Sequence, residues 1–125
     1  MQGDVYTALA EAVATAGGID MIGATDEVGK TALSFAGVNI EQRYFDGTVR
    51  GTVIFQITGA CLNAGQEDLV DTLCDIGHAI KAATLSVEGF QRPKVKVTSL
   101  PTAVLHDSDK WVYSSRVQVT GYYKE

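Results

Sequence analysis

The chain has 125 residues, of which 46% are hydrophobic and 20% charged, an ordinary globular balance that argues against disorder. Its formal charge of −5 is not the footprint of a protein that grips nucleic acid by neutralising phosphates. Two cysteines, Cys61 and Cys74, are too few for a disulfide framework and lack the close pairing of a metal or redox motif.

The length suits a single domain over 1–125 that buries a core without metal or disulfide staples. No run of 18 apolar residues is present to span a bilayer. The opening Met-Gln-Gly-Asp lacks the basic start and apolar stretch of a secretory signal, so an intracellular site of synthesis is expected. Charge is unevenly placed. Residues 1–41 hold six acids (Asp4, Glu11, Asp20, Asp26, Glu27 and Glu41) against one base, Lys30, whereas the remainder holds nine of each sign.

In chain order, Asp4 is placed to cap a helix over about Val5 to Ala16, with Val5, Leu9, Ala12 and Val13 on its apolar face. Gly17-Gly18 ends it, because glycine accepts the left-handed turn at a helix C-terminus. Ile19 to Lys30 reads as a loop with a short strand near Met21. From Thr31 the period becomes two: one strand carries Leu33, Phe35 and Gly37, and a second carries Ile40, Gln42 and Tyr44. Asp46-Gly47 supplies a hairpin turn, since both residues tolerate positive φ. The next strand puts Val49, Gly51, Val53, Phe55 and Ile57 on one face.

A longer helix follows. Asn63 and Gln66 match a capping box, and Glu67 and Asp68 sit where the helix dipole favours acids. Leu69, Leu73, Ile76, Ile80 and Ala83 recur at helical spacing, widened by Val70 and Cys74. Burying the four large aliphatic residues contributes about 1.5–3 kcal/mol each before entropy is charged. Beyond Phe90, Pro93 opens a short strand with Val95 and Val97 inward, and Pro101 interrupts it. His106 to Lys110 reads as a polar turn. The last strand sets Trp111, Tyr113, Val117, Val119, Gly121 and Tyr123 on one face. The fold class is therefore α+β: a mostly antiparallel sheet of about four to five strands with two helices packed against it.

Catalytic and cofactor motifs fail on spacing or context. Gly29-Lys30-Thr31 invites a phosphate-loop reading, but the glycine that should stand at Ala24 is Gly23, and a strand instead of a helix follows. Asp26 and Glu27 would repel a phosphate besides. His78 lies on a helix flank, and His106 beside Asp107 has no nucleophile at a meaningful spacing. Two histidines and two separated cysteines do not make a metal site, and Asp107 with Asp109 lacks the glycine and distal glutamate of a calcium loop. No catalytic, cofactor or metal residues are assigned, and no enzyme activity is expected. The acids Glu67, Asp68, Asp71 and Asp75 mark a solvent-facing stripe or, alternatively, an electrostatic surface for a partner or a channel lumen. The aromatics Trp111, Tyr113, Tyr122 and Tyr123 suit sheet packing or a protein interface better than base stacking, since no basic run accompanies them.

The stretch Arg43-Tyr44-Phe45-Asp46-Gly47-Thr48-Val49-Arg50-Gly51-Thr52-Val53-Ile54-Phe55 resembles the hairpin signature of small minor capsid and tail terminator proteins of long-tailed phages and prophages. The likeness continues through the helix Gln66 to Ala83 and the closing strand Ser115 to Tyr123, and covers about residues 31–123 in element order. The resemblance implies a tail-completion or head–tail joining subunit in the virion, assembled in the host bacterial cytoplasm. It implies a homo-oligomer, usually a hexameric ring, that meets the tail tube protein and a head-completion protein while DNA passes through the lumen without specific binding. It makes the hairpin residues Arg43, Tyr44, Asp46, Gly47 and Arg50 candidate interface residues; an ordinary solvated hairpin is the alternative. Two other functions compete: a small α+β ligand-binding or enzymatic domain with a pocket beside His78 or His106, and an adaptor that binds through an edge strand.

Overall fold

The computed structural model describes residues 3–25 and 27–125. Helix α1 (Gly3–Gly17) leads into the two-residue strand β1 (Met21–Ile22), then β2 (Thr31–Arg43) and β3 (Thr48–Leu62). A single 3₁₀ turn (Asn63–Gly65) precedes helix α2 (Gln66–Ala82), and the long hairpin β4 (Phe90–Asp107) and β5 (Lys110–Lys124) closes the chain. The five strands form one sheet in the order β1-β2-β3-β5-β4, parallel only where β1 meets β2. The α+β expectation holds.

Alternation decides which face is dry. In β3, Val49, Val53, Phe55 and Ile57 are buried, and across the ladder so are Val117, Val119 and Tyr123 of β5. Both helices lie on that face: Leu9, Ala10, Val13 and Ala14 of α1 and Leu69, Leu73, Ile76 and Ile80 of α2 join the same apolar cluster. The other face carries Arg50, Thr52, Gln56, Arg116, Gln118 and Thr120, with Thr52 and Thr120 hydroxyls 2.8 Å apart.

The termination of α1 follows its glycines. Gly18 has φ +66°, the Ile19 N–H donates to Ala14 O at 2.9 Å, and the Gly18 N–H donates to Thr15 O at 3.2 Å. That is the two-bond left-handed close that glycine makes without a Cβ penalty. Asp4 is not the cap. The helix already includes Gly3, and the Asp4 carboxylate accepts from the Val5 N–H inside the first turn.

Three further expectations are corrected. The two strands expected after Thr31 are one strand, β2, whose register shifts between Phe35 and Gly37 and again between Ile40 and Gln42. Each bulge inserts a residue and breaks the strict alternation without ending the ladder. Pro101 does not interrupt β4, which runs through it on the sheet's edge, where a missing N–H costs no ladder bond. The capping box at Asn63 and Gln66 does not form: Gly65 is the residue before α2 and no side chain caps it. Asn63 Oδ1 instead accepts from Trp111 Nε1, and Gln66 Oε1 accepts from the Tyr113 hydroxyl at 2.6 Å. The amides thus tie the start of α2 to β5.

The segment between α1 and β2 is held by a reciprocal contact. Asp20 Oδ2 accepts from the Thr31 N–H at 2.9 Å and from its hydroxyl at 3.1 Å, while the Asp20 N–H donates to Thr31 Oγ1 at 3.2 Å. The bonds from Thr31 hold the Asp20 carboxyl below the ordinary aspartate value. Because the folded pKa is the lower one, this stabilisation is fully present above the unfolded pKa and is lost as pH falls through the folded value. Asp20→Asn is therefore expected to flatten the loss of stability between about pH 5 and pH 2. Urea unfolding at stepped pH checks it; an acid limb as steep as that of the natural chain would refute the role.

Candidate interface site

The candidate residues stand on the hairpin that joins β2 to β3. The Gly47 N–H donates to Tyr44 O at 3.2 Å, and the Tyr44 N–H donates to Thr48 O at 2.9 Å. Of the two turn residues singled out in the sequence, only Gly47 adopts positive φ, at +86°. The connection is accordingly a three-residue loop, Phe45-Asp46-Gly47, closed by a left-handed glycine. Asp46 Oδ1 accepts from the Thr48 N–H at 3.0 Å, and the bonds from Thr48 hold its carboxyl below the usual aspartate range.

Register brings distant charges to this hairpin. Thr48 pairs with Lys124, so Lys124 Nζ donates to Asp46 O at 2.7 Å and stands 3.7 Å from Asp46 Oδ2. Arg43 is ion-paired with Glu125, and Arg50 Nε lies 3.4 Å from Glu41 Oε2. All of these groups are substantially exposed, where such pairs are worth about 0–1 kcal/mol each. Their effect is to set the hairpin's shape and to leave it with little net charge. The strongest unsatisfied feature is apolar: Phe45 projects fully into solvent at the tip. Tyr44 lies half-exposed, its ring 6.2 Å from that of Tyr122. Beneath the tip a shallow concavity is lined by Tyr44, Phe45, Asp46, Thr48, Arg92 and Tyr122.

The five residues chosen from the sequence therefore occupy one protrusion but divide in role. Gly47 and Asp46 build the turn, Arg43 and Arg50 are engaged inside the chain, and Tyr44 is the one that presents ring surface. Sequence reasoning missed Phe45, whose exposure follows from its place at the loop apex, and missed Arg92, Lys124 and Glu125, which arrive only through strand pairing.

The competing pocket reading has a different geometry from the one it required. An apolar cleft of about 520 Å³ opens between the Val28–Thr31 segment, the end of β3 and the start of α2, lined by Ala60, Cys61, Leu62, Ala64 and Leu69 with Asp68 and Lys30. Neither histidine lines it. His78 borders a small hollow of about 110 Å³ whose lining includes Lys81 and no carboxylate. His106 stacks on Trp111 with ring centres 3.9 Å apart. Burial pushes the Cys61 thiol up, away from a reactive thiolate. Thr31, which a phosphate loop would turn toward its ligand, gives both its donors to Asp20 and opens a strand. Asp26, the other argument against phosphate, lies outside the described residues. Among the described residues no three metal-ligating side chains gather, and no helix is long and apolar enough to cross a membrane.

Neither a family model nor a curated protein matches the chain. Its fold, however, is similar to that of a chain in the solved virion of a native gene transfer agent (GTA) particle, with a TM-score of 0.52 and 16% sequence identity. The superposition covers 98% of this chain and 94% of that one. The likeness is one of fold, and it runs nearly end to end in both proteins.

Proposed function

We propose that the chain is a structural subunit of a phage-like particle, a tail terminator or head–tail joining protein that forms a ring on the tail tube. The observation that carries this reading is the likeness of fold to a chain of a virion, which extends over 98% of this chain and 94% of that one. The hairpin and closing-strand resemblance points the same way. In this reading the chain belongs to the virion and acts by binding its neighbours without turning over a substrate. Phe45 and Tyr44, at the tip of the Arg43–Arg50 hairpin, serve as the contact to the tail tube, in the manner of aromatic anchors that fill a pocket on a partner. The exposed acids of α2, Glu67, Asp68, Asp71 and Asp75, suit a wall that DNA slides past without being held.

Native mass spectrometry tests the proposal on the purified protein alone and with the tail tube protein of the same particle. A ring of six 13.3 kDa subunits, alone or on the tube, is the expected result. A monomer that associates with neither itself nor the tube refutes it.

A further inference from the structure

The charges of this chain are divided between the two layers of the fold. Eight of its ten lysines and arginines lie in strands, where Glu41 and Asp107 are the only acids. The two helices hold six acids, Asp4, Glu11, Glu67, Asp68, Asp71 and Asp75, against one base, Lys81. Both helices cover the same face of the sheet, so no helix lies on the opposite face among the described residues. Register shows which cations look out from that open face. Arg116 stands opposite Gln56, Lys94 opposite Thr120 and Lys96 opposite Gln118, and residues paired across a ladder share a face. All three cations are exposed. Lys96 has Lys94 two residues along its own strand and Arg116 diagonally across, each about 6–8 Å away. No carboxylate pairs with the three among the described residues. Glu41, an acid of the same face, is taken by Arg50 Nε at 3.4 Å and by the Thr52 hydroxyl at 3.2 Å, and Asp107 stands opposite Lys110 at the far end. Like charges this close repel, and an acidic surface laid over them relieves the repulsion.

A second copy supplies such a surface. Helix α1 carries Asp4 and Glu11, both exposed, and no base. Glu11 is flanked on the helix surface by Thr7, Ala8 and Thr15, three and four residues away, whose short side chains let a sheet come close. On the open face the cations are interspersed with Gln56, Gln118 and Thr120, polar and uncharged. The acids of α2 are given to the lumen in the reading above, which leaves α1 as the acidic side turned to a neighbour. The open face against its own copy would set cation on cation. A nucleic acid would meet a chain of formal charge −5 whose helical acids lie one layer behind that face, so the observations favour protein. Contact between two different patches on identical subunits is head-to-tail, and it propagates into a ring when the rotation closes.

We propose that the open sheet face of one copy seats on α1 of the next, with Lys94, Lys96 and Arg116 meeting Asp4 and Glu11. The proposal rests on the ring reading above and names its subunit contact. Sedimentation velocity of the full chain at low salt, alone and with the tail tube protein, tests it. Lys94→Glu combined with Lys96→Glu, and separately Glu11→Lys, should each weaken association between copies by at least about tenfold, the difference fading as salt screens it. All three substitutions in one chain set opposite charges across the contact again, and association should return to near the natural level. That recovery is specific to a second copy, since no other occupant changes its charge with the variant. If circular dichroism shows a reversal variant unfolded, Lys96→Gln and Glu11→Gln take its place: each should weaken association, and the two together by less than the product of the single effects. A reversal that assembles as the natural chain does, or a triple variant that associates no better than either reversal alone, overturns this contact while leaving the ring intact. A labelled duplex oligonucleotide that binds the natural chain but not the Lys94→Glu, Lys96→Glu variant, with association between copies unchanged, makes the face a phosphate site and overturns the contact as well. A natural chain that is monomeric both alone and with the tube protein overturns the contact and the ring together.

Discussion

Replacing Phe55 with alanine is expected to remove about 3–5 kcal/mol of stability, the range for deleting a buried aromatic ring from a core that collapses only in part. Phe55 is fully buried on central strand β3, between Phe35 of β2 and Val117 of β5 in the ladder. Its ring also stacks with that of Tyr6 at 6.1 Å, so its loss removes a floor on which α1 sits. Against the total of about 5–15 kcal/mol typical of a domain, this is a large share. Phe35→Ala supplies the contrast: that ring touches the same Tyr6 at 5.0 Å but is half exposed, and the cost should stay below about 2 kcal/mol. Equilibrium urea unfolding of both variants measures the difference. A Phe55→Ala loss no greater than that of Phe35→Ala would mean that α1 and the sheet do not share the core described here.

The parts of this fold that could be read from the sequence are those where one period runs uninterrupted. The alternation of Val49, Val53, Phe55 and Ile57, and the stripe Leu69, Leu73, Ile76 and Ile80, each point one way in both sequence and structure. The errors fall where long-range pairing overrides a local signal. Pro101 is a sound stop signal in a central strand, and only the strand order makes its missing N–H harmless. Asn63 has the right chemistry for a cap, but Trp111, 48 residues away, takes its side-chain oxygen. The bulges of β2 hide a continuous strand because a one-residue insertion resets the alternation.

The candidate site shows the same division. The hairpin itself was legible from Asp46-Gly47, because turn chemistry is local. The neutralisation of Arg43, Arg50 and Asp46 was not, since strand pairing is what brings Glu125, Glu41 and Lys124 beside them. This matters for function. With those charges engaged inside the chain, the apolar side chains carry more of any contact at the tip.

Gly121→Ala is expected to destabilise the chain by about 1–3 kcal/mol, and a single added methyl group is enough to do it. Gly121 of β5 stands directly opposite Gly51 of β3, and the space above the pair is filled by rings from neighbouring positions. A Cβ on Gly121 would lie 2.3 Å from Phe90 Cε1 and 2.9 Å from the backbone oxygen of Gln91, while one on Gly51 would lie 2.5 Å from the Tyr123 hydroxyl. Phe90 cannot swing aside: it is buried and stacked on Tyr123, with ring centres 5.9 Å apart at 11°. The Gln91 oxygen belongs to β4, so relief requires the β4–β5 ladder itself to move. The tightness has a cost already, for the Tyr123 hydroxyl is buried without a hydrogen-bond partner among the described residues, and burial first, then Glu125, pushes that phenol up. Gly37→Ala provides the control, because nothing lies within 4 Å of a Cβ built there. It should be neutral, or stabilising by a few tenths of a kcal/mol to about 1 kcal/mol through the unfolded chain. Thermal unfolding of the two alanine variants side by side decides the matter; equal melting temperatures would show that the rings over Gly121 and Gly51 are not packed as described.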